Sequence, residues 1–365
     1  MLYKVIGLMS GSSLDGLDIV FTELQEATGG WRFEILAADC YTYTGEWTQK
    51  LKEAIHLNAL DYQLLHTEYG AYLGKEVNRF IEAHDLHYKV ALVASHGHTS
   101  FHEPLKKMTA QLGDGAALAA QTKGIVVSDL RALDVAFGGQ GAPIVPIGEK
   151  LLFPDYQLFL NIGGIANLTA TTPHGTIAFD VCAANRVLDM LMNRINHSYD
   201  EGGKMAATGS VHSEMLERLN DLDYYRKPYP KSLANSFGTD TVYPIIISYT
   251  IPVENALRTY VEHVAIQVAA AIGTVADASV GVGRKLLVTG GGAFNTFLVK
   301  RLSEALQHLS IEVVVPDENL VRYKEALVMA LSGVLRWRQE YNVLSSVTGA
   351  ERNSIGGAVW IGQEA

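Results

Sequence analysis

The chain is poor in cysteine, in clustered positive charge and in long apolar runs, and each shortage excludes something. Two cysteines in 365 residues, Cys40 and Cys182, cannot make a disulfide framework, so a reducing cytoplasm is the expected setting. The formal charge is −10, and no basic run exceeds the pairs Lys106-Lys107 and Lys300-Arg301. A nucleic-acid partner is therefore not expected. The N-terminus lacks a basic segment followed by an apolar core and a cleavage site, so no secretory signal is read there. The most apolar long window, Val264–Val282, holds Gln267 and Asp277; it reads as a buried helix, and no membrane partner is expected. No G-x-x-x-x-G-K-[ST] loop occurs either, which removes the P-loop class.

What is present is apolar residue enough, 48% of the chain against 19% charged, for a globular protein of about two domains. Tyr3–Met9, Leu17–Leu24 and Phe33–Asp39 read as three strands. Helices over Gly45–Asn58 and Tyr62–His84 follow, then short strands at Val90–Ala94 and Ile125–Ser128. A second series has the same form. Strands at Gln157–Ile162, Ala166–Thr171 and Thr176–Asp180, the last two joined at Pro173-His174-Gly175, precede helices at Asn185–Asn196 and Glu254–Asp277. A strand at Lys285–Thr289, a helix at Asn295–Leu309, a strand at Val313–Val315 and a helix at Tyr323–Tyr341 complete it. This recurrence predicts a structural repeat without sequence identity, whose two halves would hold a ligand in the cleft between them. The glycine- and proline-bearing segment FGGQGAP places the boundary near Leu133–Pro143, as a hinge or as a plain loop.

Three strand ends could carry chemistry. MSGSSLDGLD (Met9–Asp18) puts small residues, hydroxyls and carboxylates in one hairpin turn. Backbone N–H groups there can approach an anion, and a hard cation would reconcile the carboxylates with phosphate. An ordinary Asp-containing turn accounts for the same residues. NIGG (Asn161–Gly164) and TGGGAFN (Thr289–Asn295) also end strands, the second directly before a helix. Together they match two phosphate loops and an adenine surface. Asp180, at the end of its strand, is either aimed at a ligand or a helix N-cap. His96, His98 and His102 could bind metal, although no further spaced ligand completes a zinc set.

These segments resemble the anhydro-N-acetylmuramic acid kinase family, and the resemblance runs almost the whole chain. MSGSSLDGLD is similar to the family signature. SHGHT (Ser95–Thr99), QLGDGAALA (Gln111–Ala119), SDLRALDVAFGGQGAP (Ser128–Pro143) and NIGGIANLT (Asn161–Thr169) follow in family order. So do YDEGGKMAATG (Tyr199–Gly209), YPKS (Tyr229–Ser232), VTGGGAFN (Val288–Asn295), KEALVMA (Lys324–Ala330) and SVTGA (Ser346–Ala350). The resemblance implies an α/β protein of two actin/hexokinase-like (ribonuclease H-like) domains with an ATP cleft between duplicated halves. The lobes would be 1–133 plus 345–365, and 134–344. It implies an ATP-dependent, Mg²⁺-requiring kinase converting 1,6-anhydro-N-acetylmuramic acid and water to N-acetylmuramic acid 6-phosphate. Gly11, Ser12, Ser13, Leu14, Asp15, Gly16, Leu17 and Asp18 would form the phosphate loop, with Gly163, Gly164, Gly290, Gly291, Gly292 and Asn295 completing the ATP site. Asp180 would be the catalytic base, Asp15 and Glu325 would hold Mg²⁺, and His98, Arg131 and Asn185 would meet the sugar. Asp134 would orient Arg131. A homodimer stays open, as it does for many soluble enzymes.

One departure bears on the substrate. Where the family has D-T-G-P-G-N, this chain has Asp180-Val181-Cys182-Ala183-Ala184-Asn185, and the added side chains could block close approach to a sugar. A kinase for another anhydro or free sugar, such as levoglucosan, is therefore an alternative, and an actin- or Hsp70-like ATP switch is another. Ser12 keeps the hydroxyl of the family threonine. Cys182 reads as a packed small residue.

Overall fold

The computed structural model describes residues 1–11, 14–172, 175–234, 236–275 and 284–363. Ser12, Ser13, Pro173 and His174 of the expected turns lie outside the described residues. The chain divides into two compact units, Met1–Pro154 with Tyr323–Ala365, and Asp155–Arg322.

In the first unit, β1 (Leu2–Ser10), β2 (Gly16–Ala27) and β3 (Gly30–Thr42) run as antiparallel neighbours. Helices α1 (Gly45–Glu53) and α2 (Ala59–Ala83) lead to β4 (Leu92–Ser95), which pairs parallel to β1. After a separate hairpin, β5 (His98–Glu103) and β6 (Met108–Leu112), come α3 (Gly115–Thr122), β7 (Ile125–Ser128), α4 (Ala132–Ala136) and α5 (Pro146–Leu152). The main sheet has the order β3-β2-β1-β4-β7, extended at β7 by the last strand of the chain.

The second unit repeats this plan. β8 (Leu158–Ile162), β9 (Ile165–Thr172) and β10 (Gly175–Ala183) are antiparallel neighbours. Helices α6 (Asn185–Asn193), α7 (Lys204–Thr208), α8 (Ser213–Asn220), α9 (Tyr243–Ile247) and α10 (Val253–Val275) follow. Then β11 (Arg284–Thr289), α11 (Thr296–Leu306) and β12 (Ile311–Val314) give the order β10-β9-β8-β11-β12, with β11 parallel to both β8 and β12. Each unit thus carries three antiparallel strands followed by two parallel ones, in the order 3-2-1-4-5. This is the duplicated ribonuclease H-like topology of the actin/hexokinase class. The chain closes with α12 (Glu318–Trp337), α13 (Ser345–Thr348) and β13 (Ala358–Ile361).

Local sequence explains these elements. Val5–Leu8 is buried throughout because β1 is central, covered on both faces. An added Cβ at Gly7 would lie 2.0 Å from the Ala326 carbonyl oxygen, so glycine there lets α12 pack directly on the strand. In α2 the Asn58 side chain accepts the N–H groups of Leu60 and Asp61, and Leu65, Tyr69, Leu73, Val77 and Phe80 form one buried stripe at three- and four-residue spacing. Helix α10 is the core helix of the second unit, with Leu257, Tyr260, Val261, Val264, Val268 and Ile272 all inaccessible. Among the described residues no helix is long and apolar enough to cross a membrane.

The expected boundaries need correction. Leu133–Pro143 lies inside the first unit and is pinned there. The Asp134 carboxylate accepts the Gly141 N–H at 2.8 Å and the Thr348 hydroxyl at 2.8 Å, and the Gln140 N–H donates to the Thr348 carbonyl. Its glycines serve a packed loop: a Cβ at Gly139 would meet the Asp134 carboxylate at 2.3 Å. The chain crosses between units instead after Pro154 and within α12 after Arg322.

Helix α12 is tied to α5 by the ion pair Lys324 Nζ–Glu149 Oε1, 2.7 Å long, with side chains only 3% and 4% exposed. Among the described residues Glu149 Oε2 has no hydrogen-bond partner. Removing one buried charge strands the other, so Lys324→Met should destabilise the first unit by about 3–5 kcal/mol. The double variant Lys324→Met/Glu149→Leu should be less damaging than Lys324→Met alone; urea unfolding curves for both check this.

Candidate active site

Asp180 sits in β10 opposite Asn167, where the ladder shifts register before Cys182. The strand continues to Ala183, and the residue preceding α6 is Ala184, whose side chain makes no cap. Asp180 is therefore not the N-cap that its sequence position allowed. Its carboxylate Oδ2 accepts the Leu233 N–H at 2.8 Å, its own N–H donates to the Lys231 carbonyl at 3.2 Å, and its carbonyl accepts the Tyr224 hydroxyl at 2.6 Å. Burial raises the carboxyl above the ordinary aspartate value, and the Leu233 N–H partly offsets this. The segment around YPKS supplies the cradle: Tyr229 stacks on Phe179, and Lys231 Nζ lies 4.7 Å from the Tyr224 ring centroid. Sequence reading singled out YPKS but gave it no task, and it missed Tyr224 and Leu233. Backbone donors have no side-chain signature.

The four residues after Asp180 correct a second expectation. Val181, Cys182, Ala183 and Ala184 are all buried in the core of the second unit. The Ala183 carbonyl accepts the Tyr260 hydroxyl, and its methyl faces Gly238. The two alanine methyls are thus packed inside and present no obstacle at the surface. Burial pushes the Cys182 thiol up to about 12, so it is an inert packed residue.

Two glycine turns of this unit meet at the start of α6. The Ala184 N–H donates to Gly164 and the Asn185 N–H to Gly163, while Asn185 Nδ2 donates to the Ile162 carbonyl at 3.1 Å. An added Cβ at Gly291 would lie 3.5 Å from Asn185 Nδ2. Asn185 therefore joins the Gly163–Gly164 turn to the Gly290–Gly292 turn. The glycines themselves differ in kind. Gly290 has φ 80°, and a Cβ would lie 2.6 Å from Asn161 Oδ1 and 2.8 Å from the Ile162 carbonyl oxygen; at Gly292 it would strike Ile162 at 2.2 Å. The fold demands both. Gly163 and Gly164 have ordinary φ, and among the described residues a Cβ on either would meet nothing nearer than 3.6 Å. Packing against the described residues does not require glycine there. Asn295 caps α11, its Oδ1 accepting the Leu298 N–H at 2.9 Å.

In the first unit, Leu14 (φ 60°) and exposed Asp15 follow the first turn. Gly16 is fixed by β3, since a Cβ would lie 2.7 Å from the Tyr41 carbonyl oxygen. Leu17 is core, and Asp18 pairs with Cys40 across the β2–β3 ladder. His96 and His98, which at spacing i and i+2 would share one face of a continuous strand, are parted by a turn: β4 ends at Ser95, Gly97 turns the chain with φ 71°, and β5 begins at His98. His96 accepts Arg131 Nε at Nε2 (2.7 Å), so its Nδ1 carries the proton and donates to the Gly97 carbonyl. Burial and Arg131 push it down to about 3. Arg131 Nη1 donates to the Gly141 carbonyl, the same residue whose N–H Asp134 holds. Burial lowers Arg131 to about 10, partly offset by Glu325 and Asp134. Glu325 is not a solvated helix charge. Burial raises its carboxyl against the opposing pull of Lys324 and Arg131.

The duplicated ribonuclease H-like topology is shared by kinases and by ATP-driven switches, and family membership makes this chain an ATP-dependent sugar kinase. The chain belongs to the anhydro-N-acetylmuramic acid kinase family, whose model matches residues 3–362. It is 33% identical to the anhydro-N-acetylmuramic acid kinase of Francisella tularensis subsp. novicida, over 97% of each chain. To that of Photobacterium profundum it is 32% identical over 98% of each. Among solved structures it is similar to the activator of the 2-hydroxyisocaproyl-CoA dehydratase from Clostridium difficile with bound ADPNP. The TM-score there is 0.47 at 16% identity, covering 93% of this chain and 96% of that one. Hexokinase from Schistosoma mansoni complexed with glucose gives 0.38 at 11%, covering 91% and 85%.

The glycine contrast is testable. Gly290→Ala should destabilise by about 1–3 kcal/mol through its left-handed backbone and collisions. Gly163→Ala should leave thermal unfolding near the parent and weaken ATP binding, read by calorimetric titration.

Proposed function

We propose that this kinase acts on 1,6-anhydro-N-acetylmuramic acid, giving N-acetylmuramic acid 6-phosphate and ADP in cell-wall recycling in the cytoplasm. The observation that carries the mechanism is the Asp180 carboxylate, held by a backbone N–H and raised in pKa at a half-buried strand position. A carboxylate so placed serves as a general base.

Asp180 takes a proton from water, and the water oxygen bonds to the anomeric carbon. The C1–O6 bond breaks, and O6 takes the γ-phosphoryl group as the bond to the ADP oxygen cleaves. The proton on Asp180 returns to solvent. Water is a poor nucleophile, and base assistance of this kind contributes roughly 100- to 10,000-fold. The phosphoryl step needs positioning and charge neutralisation. We assign the phosphates to the turn from Gly11 to Asp18 and the adenosine end to Gly290–Gly292, with Gly163 and Gly164 alongside. Arg131, oriented by His96 and Gly141, and His98 and Asn185 are assigned to the sugar.

Mg²⁺ would neutralise phosphate charge. Among the described residues no three His, Cys, Asp or Glu side chains converge into a metal cage. Isolated carboxylates suit this ion, which binds through one or two carboxylates, phosphates and water. Asp15 and Glu325 are the two we assign.

ADP release should depend on added anhydro sugar, and solvent ¹⁸O should enter the product at C1; equal ATP turnover without sugar excludes the kinase reading. Asp180→Asn should keep ATP affinity and lower product formation by about 100- to 10,000-fold. The acid limb of kcat/KM should also report the raised Asp180 carboxyl. The base is active when deprotonated, so activity falls as pH drops through a value above the ordinary aspartate range, and Asp180→Asn should abolish that limb.

A further inference from the structure

At the end of β1, around Ser10, lies a row of hydroxyls that the proposed mechanism does not use. The Tyr69 and Tyr43 hydroxyl oxygens are 2.6 Å apart, Tyr43 donates to Ser10 Oγ at 2.8 Å, and Ser10 Oγ lies 3.1 Å from His98 Nδ1. Tyr69 is inaccessible, and Ser10, Tyr43 and His98 are 3%, 6% and 6% exposed. Four polar groups from β1, α2, β5 and the loop after β3 are thus joined where water is scarce, and each proton must find an acceptor.

Counting protons leaves two arrangements, a closed Tyr43–Ser10–Tyr69 ring and an open chain that ends at His98. A phenol has one proton, and that of Tyr43 goes to Ser10, so the Tyr43 oxygen accepts from Tyr69. Ser10 has one proton and already accepts from Tyr43; in the open chain that proton goes to His98 Nδ1. Nδ1 is then an acceptor, and a neutral imidazole must carry its proton on Nε2. Burial supports neutrality, lowering His98 to about 4. The two histidines of Ser95–Thr99 come out as opposite tautomers, His96 with Nδ1–H and His98 with Nε2–H.

We propose that the Tyr69→Tyr43→Ser10→His98 chain is a positioning device that locks His98 as an Nε2–H donor for an acceptor oxygen of the sugar. The acceptor class is a ring, ether, hydroxyl or carboxylate oxygen; a donor-only group such as an ammonium is refused. Ser10, the last residue of β1 and the neighbour of Gly11, is the pivot, so the strand that leads into the first turn also sets the histidine. The sugar-donor role rests on the proposed kinase reading, whereas the tautomer does not.

The first test needs no variant. In ¹⁵N-histidine-labelled protein at neutral pH, with the His98 signals assigned by their loss in His98→Gln, two-bond ¹H–¹⁵N spectra should show Nε2 protonated and Nδ1 bare. A protonated Nδ1, as in a closed Tyr43–Ser10–Tyr69 ring with His98 donating to Ser10, overturns the chain. Tyr43→Phe removes the donor that presses on Ser10; His98 should become a tautomer mixture and the sugar KM should rise roughly three- to tenfold with kcat less affected. An unchanged tautomer and KM in folded Tyr43→Phe overturns the positioning role. His98→Gln, which retains an N–H near the Nε2 position, should keep more sugar affinity than His98→Leu. Equal, near-parent KM values in both, with the wild-type tautomer as expected, overturn the sugar-donor role and leave the kinase reading intact, which fails separately if ADP release is independent of sugar.

Discussion

A carboxylate withdrawn from bulk water keeps its reactivity only if fixed donors stand in for part of the lost solvent. The hydrogen bond from the Leu233 N–H to Asp180 supplies this in the second unit. One backbone donor is enough to hold the group in place and too little to depress its pKa, so the carboxyl is raised overall. The register shift at β10, the Tyr224 hydroxyl on the Asp180 carbonyl and the Phe179–Tyr229 stack all serve that placement. A carboxylate that is both fixed and raised follows from sheet irregularity and a covering segment together.

The first unit solves a related problem with different groups. A guanidinium beside a buried imidazole is normally unfavourable, yet Arg131 and His96 are bonded at 2.7 Å. The arrangement holds because burial keeps His96 neutral and an acceptor at Nε2, while Gly97 takes its other proton. Asp134 fixes Gly141, and Gly141 takes Arg131; the aspartate thus orients the arginine through a loop backbone. Thr348, more than two hundred residues away in sequence, closes the set. The glycine-rich stretch that looks like a hinge in one dimension is a packed, pinned loop in three.

The glycines of the second unit differ in what requires them. Gly290 and Gly292 are imposed by the neighbouring Asn161–Ile162 segment, whereas Gly163 and Gly164 have room for a side chain and ordinary φ. The replacement of the family's glycines and proline by Cys182, Ala183 and Ala184 is absorbed by the core around Tyr260 and Gly238. The departure that unsettled the choice of sugar is therefore a matter of internal packing.

Much was legible in one dimension. Strand and helix identities follow from short-range patterning: the alternation and glycine punctuation around Ser10–Gly16 and Asn161–Gly164 locate the hairpins, and the Leu65–Phe80 stripe locates α2. The recurrence of three strands, then helices and single strands, is enough to expect duplication. Other features depend on partners far along the chain. The β5–β6 hairpin went unread because its apolar content is weak, and the true unit boundaries because packing against Thr348 hides the loop at Gly138–Gly141. The roles of Leu233, Tyr224 and the Ser10 hydroxyl row were invisible because a backbone N–H or a single hydroxyl acquires meaning only from what lies opposite it. Residue types and their periodicity determined the elements and the candidate carboxylate; only tertiary contact decided which groups are desolvated, which donors face them and hence which protonation state each holds.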